Sequence, residues 1–141
     1  MRIVYLLMVL LSLTGCATLG FGTKEDCDKA VKDYNRMIRW DEPETAALTY
    51  LDNSLQDDFI KTIDDLRRRN VNIADMRIKA NSCATGNNSA DVIVEFDYFA
   101  LPDNRIKSVT DKQKWMLLRG KQLAPGQRAG WKLVTPPPQF R

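Results

Sequence analysis

The chain contains no histidine. Histidine is the commonest general base and metal ligand near neutral pH, so its absence excludes serine–histidine and cysteine–histidine catalytic arrangements. The three cysteines lack the Cys-x-x-Cys spacing of structural zinc sites, and no glycine-rich phosphate-binding motif occurs. We therefore expect no metal, no cofactor and no enzymatic activity.

The chain also lacks a strong net charge, because 21 Lys and Arg residues stand against 18 Asp and Glu residues. Bases and acids are interleaved, and we expect no nucleic-acid partner. The charge is nevertheless uneven: residues 16–70 carry 9 bases and 12 acids, whereas residues 71–141 carry 11 bases and 6 acids. This asymmetry is compatible either with one side facing anionic lipid headgroups or with ordinary solvated surface.

A long apolar run occurs only at the N-terminus, where Ile3 to Leu13 is broken by Ser12 alone. A helix that spans a bilayer needs about 20 apolar residues, so this run has the length of a signal-peptide core instead. The four residues that close it, Leu13-Thr14-Gly15-Cys16, resemble the lipobox of bacterial lipoproteins.

The lipobox resemblance implies a signal peptide at residues 1–15 and cleavage before Cys16. The Cys16 sulfur would carry a diacylglycerol and its amino group a further acyl chain such as palmitate, and such a lipid cluster anchors a protein stably. The alternative is a secretory signal with an incidental cysteine. Ala17 stands where Asp retains lipoproteins in the inner membrane, so we expect the outer membrane of a bacterial envelope, facing the periplasm. Residues 16–23 are then the lipidated cysteine and a short tether.

Cys27 and Cys83 are the two remaining thiols, in a compartment expected to be oxidising. A disulfide between them would close a loop of about 57 residues, worth about 4 kcal/mol in the chain-entropy treatment. The alternation of side chains along a strand argues against this pair, because it places Cys83 on the opposite face from Met76 and Ile78. A β-bulge would shift the register and remove this objection. Both possibilities stay open at this point.

Three helices are predicted in the first half of the domain. Thr23-Lys24-Glu25-Asp26 has the pattern of a capping box and begins a first helix that ends near Trp40. Asp41-Glu42-Pro43 predicts the start of a short second helix. Ser54 is the expected N-cap of a third helix, which Asn70 ends.

Beyond Asn70 the apolar period changes to two, which is typical of strands. One strand places four apolar residues on the same face: Val92, Val94, Phe96 and Tyr98. Two further strands are predicted, one through Val109, Trp115 and Leu117 and one through Trp131. The sheet ends at Pro136 to Pro138, because proline has no N–H to donate. We predict an α+β fold in which three N-terminal helices, the first of them long, pack on a curled four-stranded antiparallel meander. This single domain covers residues 24–135 and is followed by a Pro-rich tail at 136–141.

The element order and the ending Gly130-Trp131-Lys132-Leu133-Val134 resemble the nuclear transport factor 2-like (cystatin-like) α+β cone, which has many bacterial lipoprotein members. Enzymes of that family place an Asp base and a Tyr in the cone, and Asp97, Tyr98 and Tyr34 are the nearest analogues here. Alternation directs Asp97 away from the apolar face, so we interpret it as an exposed cross-strand partner of Lys112 or Lys114.

The sequence therefore favours a membrane-anchored envelope lipoprotein with a non-enzymatic binding or assembly role toward a protein or a small apolar ligand. Its expected partners are the membrane, through the lipid on Cys16, and an unidentified envelope protein. The alternative is a small-ligand enzyme of the cone type with an Asp/Tyr pocket, which the expected solvent-facing carboxylates disfavour. The residues that would line a pocket, or else pack the core, are Tyr34, Phe96, Tyr98, Trp115 and Trp131.

Overall fold

The computed structural model describes residues 22–85 and 87–141, so the predicted signal peptide and Cys16 lie outside the described residues. The helices and strands in chain order are α1 (Lys24–Arg39), α2 (Pro43–Tyr50), α3 (Asn53–Arg68), β1 (Val71–Asn81), β2 (Ser89–Ala100), β3 (Lys107–Leu118) and β4 (Gly130–Leu133). The strands form one antiparallel sheet in the order β1-β2-β3-β4. The predicted class, three helices followed by a curled four-stranded meander, is confirmed.

Helix α1 begins where the sequence predicts. The Thr23 hydroxyl accepts a hydrogen bond from Asp26 N, and the Asp26 carboxylate accepts one from Thr23 N, which satisfies two helix-end donors reciprocally. The buried side chains of α1 recur at intervals of three and four residues, which places them along one stripe that faces the sheet: Cys27, Ala30, Val31 and Tyr34. This stripe forms the helical wall of the core.

The start of α3 differs from the prediction. Asp52 is the N-cap, and its carboxylate accepts hydrogen bonds from both Ser54 N and Ser54 Oγ, at 3.0 and 2.6 Å. The prediction of Ser54 as the cap is therefore wrong by two residues, because an ionised carboxylate accepts more strongly at a helix N-terminus than a hydroxyl does. Asn70 adopts a positive φ of 51°, which ends the helix as predicted.

The disulfide between Cys27 and Cys83 is present, with the two Cα atoms 5.7 Å apart. Strand β1 has a register irregularity between Ile78 and Ala80, and after the strand the chain turns through Cys83–Thr85. This irregularity inserts one additional residue into β1, so the side chains that follow it lie on the other face of the sheet. Cys83 can therefore reach Cys27, although simple alternation along the strand predicted the opposite. The disulfide joins α1 covalently to the end of β1.

The Pro-rich segment after β4 packs back onto the sheet. Phe140 is only 6 % exposed, and its ring lies 6.1 Å from that of Phe96 and 5.1 Å from that of Tyr98. The Tyr98 hydroxyl also accepts a hydrogen bond from Arg141 N at 3.1 Å. Residues 136–141 therefore contribute to the core, although the sequence alone presents them as a tail.

The two ends of helix α1 define two ends of the domain, the Gly22 end and the Trp40 end. At the Gly22 end, Gly22 lies against Leu117 and Arg119, near the end of β3. At the Trp40 end, Arg39 Nη1 donates to Ile73 O, near the start of β1. The two ends are about 24 Å apart at 1.5 Å per residue. No helix within the described residues is long and apolar enough to cross a membrane.

We expect the Cys27→Ala/Cys83→Ala variant to lose about 4 kcal/mol of unfolding free energy, because the loop that the bond closes becomes free in the unfolded chain. Urea unfolding of the two proteins measures this difference. Reductant should reproduce the loss in the parent protein and leave the double variant unchanged. Two reactive thiols among Cys27 and Cys83 in protein unfolded without reductant would contradict the bond.

Candidate functional site

The concave face of the sheet is filled by side chains. Trp115 is fully buried, and its ring meets that of Tyr34 edge to face at a centroid distance of 5.6 Å. Phe59 from α3 packs on the other side of Tyr34 at 6.4 Å. The space that remains among these side chains, α3 and the tail is about 20 Å³. A cavity of that size holds about one water molecule, so this cavity has no room for an organic ligand.

A buried polar network crosses from α1 to β3. Gln113 Nε2 donates to Asn35 Oδ1 at 2.7 Å and to Asp111 Oδ2 at 2.8 Å, while Gln113 Oε1 accepts from Asn35 Nδ2 and from Trp115 Nε1, both at 3.1 Å. Asn35, Asp111 and Gln113 are each at most 5 % exposed. Because buried amides are costly unless paired, this reciprocal pairing fixes the position of α1 over β3.

The prediction that the carboxylates face solvent is wrong for Asp111, which is buried in the structure. Burial raises its pKa to about 6, against an opposing effect of the Gln113 hydrogen bond. Burial and then the Asp111 charge raise the pKa of Tyr34, and both residues line the 20 Å³ cavity. Asp111 can therefore exchange a proton near neutral pH, but the cavity beside it admits no substrate in this structure.

We expect Asp111→Asn to stabilise the protein at pH 8. The folded pKa of Asp111 lies above its ordinary value of 3.8, so the buried charge destabilises the fold fully above about pH 6 and not at all below about pH 4. The gain should approach about 3 kcal/mol at pH 8, at 1.36 kcal/mol per pKa unit, and vanish near pH 4. Thermal unfolding across this pH range measures it.

Asp57→Asn on the exposed face of α3 is the matched control and should show no such pH-dependent gain. A constant difference between Asp111→Asn and the parent protein at all pH values would mean that the Asp111 carboxyl titrates normally in the fold.

The five aromatic residues proposed to line a pocket do not meet in one cavity. Tyr34 and Trp115 lie in the core, and Phe96 and Tyr98 lie beneath Phe140. Trp131 also lines a separate open groove. All five are packing residues of one core, with relative exposures of 6 % or less.

Asp97 lies on the outer face of the sheet, as its parity predicts, but its partners differ from the expected lysines. Ser108 Oγ donates to Asp97 Oδ1 at 2.6 Å, and the Arg77 guanidinium lies 2.8 Å from Asp97 Oδ2. The hydrogen bond from Ser108 and then the one from Arg77 lower the pKa of Asp97. In the β2–β3 register Lys112 stands opposite Ile93 and Lys114 opposite Asp91, so neither is the partner of Asp97.

A surface groove of about 730 Å³ opens at the Gly22 end, between the start of α1, the end of α2 and the segment that leads into β4. The Lys132 ammonium donates to the Thr49 carbonyl oxygen, near the end of α2. Trp131 Nε1, also in the groove wall, is buried without a hydrogen-bond partner among the described residues. The residues of the groove that carry chemistry are Lys29, Tyr50, Gln56, Arg128, Trp131 and Lys132.

Leu48, which is 73 % exposed, is a large apolar side chain of the groove wall, and the Trp40 end exposes three others. Trp40 is 65 % exposed, Leu101 50 % and Ile106 59 %. Leu101 N donates to Asn70 O, which holds the β2–β3 turn beside the end of α3. The Arg39 guanidinium stacks 4.8 Å from the centroid of the Trp40 ring and so restricts its position.

No group of three or more potential metal ligands occurs within residues 22–85 and 87–141. In comparisons with known proteins, no family model, no curated protein and no solved structure matches the chain.

Sequence reasoning missed Asp111, although a signal for it exists. Asp111 and Gln113 have the same strand parity as Trp115 and Leu117, which are buried. A carboxylate and an amide two residues apart on the apolar face of a strand indicate a buried polar pair, because each residue supplies a hydrogen-bond partner to the other.

Proposed function

We propose that this protein is a bacterial envelope lipoprotein, anchored through Cys16, that binds a protein partner through the Trp40 end without catalysing a reaction. The lipobox-like stretch before Ala17 supports the anchor and an outer-membrane location facing the periplasm. The observation that carries the binding role is the exposure of Trp40, Leu101 and Ile106 at one end of a domain whose concave face is filled.

The chemistry of the Trp40 end suits a protein partner. Tryptophan is enriched among the residues that contribute most to protein–protein binding, and it does so best at the centre of an apolar patch with a polar rim. Leu101 and Ile106 supply further apolar surface, and Arg39 and Asn70 are polar neighbours. The stacked Arg39 limits the conformations of Trp40 before binding, which reduces the entropy lost on association.

The position of this end relative to the anchor also supports the proposal. A tether of seven residues from Cys16 to Gly22 reaches at most about 25 Å. The Gly22 end therefore stays close to the bilayer, and the Trp40 end is the part of the domain that lies furthest along α1 from the anchor. An apolar surface there faces envelope neighbours rather than lipid.

The proposal includes membership of the nuclear transport factor 2-like (cystatin-like) group of α+β cones. Three helices before a curled meander, with α1 on the concave face, support it. A binding role is compatible with such a domain, since function depends on the site and not on the fold.

We expect Cys16→Ser to abolish lipidation and the cleavage that precedes Cys16, because only a thiol at that position accepts the diacylglycerol. Metabolic labelling with a palmitate analogue, together with intact mass, measures both effects. Cys27→Ser/Cys83→Ser is the control, and it should keep the label. Label that persists on the Cys16→Ser protein would remove the anchor from the proposal.

We expect a photo-crosslinking amino acid at Leu101 or Ile106 to capture one envelope protein in intact cells, and Trp40→Ala to reduce that product at least tenfold, since central tryptophans commonly contribute 2 kcal/mol or more to binding. The same crosslinker at Lys61, an exposed position on α3, is the control and should not capture that protein. Equal capture from Lys61, or no effect of Trp40→Ala, would contradict a binding surface at this end.

A small-ligand enzyme of the cone type is the second candidate, and the raised pKa of Asp111 beside Tyr34 favours it. It would require residues 136–141 to move aside and enlarge the cavity. The two candidates separate in cells: Asp111→Asn matches the phenotype of a deletion if the protein is an enzyme, whereas Trp40→Ala matches it if the protein binds a partner. Asp97→Asn serves as the outer-face control for both.

A further inference from the structure

The loop between β3 and β4, residues 119–129, lies beside Gly22, near the start of α1. A Cβ atom placed on Gly22 would lie 2.6 Å from Arg119 Nη2 and 2.6 Å from Leu117 Cδ2, and Gly22 has a φ of +132°. Only glycine permits both this conformation and this close approach. Gly22 therefore lies directly against the loop.

The loop is basic and its charges are not neutralised by the protein. Residues 119–129 contain Arg119, Lys121 and Arg128 and no acid. None of the three forms an ion pair with any residue in the described ranges 22–85 and 87–141. Residues 1–21 contain no Asp or Glu that could pair with them. The loop therefore presents three free cations.

The groove next to the loop adds a fourth cation. Lys132 is 5 % exposed, its ammonium donates to the Thr49 carbonyl oxygen, and no carboxylate of the described residues lies within ion-pair distance of it. Burial and then the Arg128 charge lower the pKa of Lys132, against an opposing effect of the Asp52 charge. An ammonium group in this setting is stabilised by an anion that enters the groove, because such an anion replaces lost hydration.

The start of α1 also carries the acids Glu25 and Asp28, whereas two other acids at this end, Asp26 and Asp52, cap helices. The Asp26 carboxylate accepts hydrogen bonds from Gly22 N and Thr23 N, at 3.0 and 3.2 Å. The Asp52 carboxylate accepts from Ser54 and from Gln127 Nε2. Because these two carboxylates already interact with helix N-termini, they neutralise the positive charge of the loop less than free surface acids would.

We propose that the β3–β4 loop, with Lys132 behind it, binds the phosphate groups of anionic lipids in the bilayer that carries the anchor. This inference rests on the proposed anchoring through Cys16. The tether keeps the loop within about 25 Å of that bilayer, and electrostatic attraction acts over a Debye length of about 8 Å at physiological salt. The contact orients the domain with the Gly22 end on the membrane and the Trp40 end away from it.

The occupant is a lipid surface rather than a single free anion because the loop cations do not converge. Arg119, Lys121 and Arg128 are spread over ten residues of an exposed loop, and each is exposed to solvent. Spread cations match an array of headgroups, whereas a free phosphate requires several donors at one point.

The test uses the mature chain from residue 16 with Cys16→Ser, so that binding is measured without the lipid. Cosedimentation with vesicles of phosphatidylcholine alone and with added phosphatidylglycerol gives the affinity at low and physiological salt. We expect binding only to the anionic vesicles, weakened by salt. Arg119→Gln/Lys121→Gln/Arg128→Gln should weaken it about 100-fold, at roughly fivefold per base.

The matched control is Lys79→Gln/Lys112→Gln/Lys114→Gln, which removes the same charge from exposed positions of the sheet. It should retain most of the affinity, and thermal unfolding should show that both variants fold. Equal losses from the two variants, or no preference for anionic vesicles, would overturn the proposal.

Two further arms identify other occupants. Displacement from vesicles by millimolar inorganic phosphate would assign the groove to a free anion, and tighter binding to polyglutamate than to anionic vesicles would assign the loop to an acidic protein. Either result would overturn the lipid proposal. Since the chain tested here carries no lipid, its failure to bind vesicles leaves the labelling test of Cys16 unaffected.

Discussion

The packing of α1 against β3 determines how the other elements of the domain are arranged. The edge-to-face contact between Tyr34 and Trp115 occupies the centre of the concave face, and the Asn35–Gln113 amide pair beside it allows one position of the helix over the strand. The Cys27–Cys83 bond fixes the Gly22 end of the same helix to the turn that follows β1. These three contacts hold α1 on the sheet, and the proposed interactions use the two ends of the domain.

The two ends differ in chemistry because different loops form them. The β3–β4 loop at the Gly22 end carries three bases and no acid, whereas the β2–β3 turn at the Trp40 end carries Leu101 and Ile106. Under the proposed anchoring, a basic loop beside Gly22 and an apolar surface about 24 Å away along α1 would link a membrane surface to a protein. Neither role needs an ionisable residue at a reacting centre, so the absence of histidine is no disadvantage.

Local patterns in the sequence predicted the elements well, because short-range effects determine them. The capping box at Thr23 and the alternation of Val92, Val94 and Phe96 depend on residues within a few positions of each other. Features that depend on strand register were harder to predict. The irregularity in β1 that brings Cys83 to Cys27, and the pairing of Asp97 with Ser108, follow from how distant segments align.

The candidate sites were less predictable than the fold for the same reason. The parity of Asp111 is visible in the sequence, but its burial depends on Gln113 and on Asn35, which lies 78 residues away from Gln113. The packing of Phe140 on Tyr98 depends on the path of the chain after β4. The cationic end appears only when the fold brings Arg119 beside Gly22.

The proposed anchoring through Cys16 and the proposed contact of the β3–β4 loop with lipid together define one orientation of the domain on a bilayer. Spin labels at Ala129, an exposed uncharged position of the loop, and at Ile106, examined separately with a paramagnetic chelate held at the membrane surface, report how close each end lies to the lipid. This orientation predicts strong relaxation enhancement at position 129 and little at 106. Equal enhancement at both positions, or stronger enhancement at 106, would contradict it.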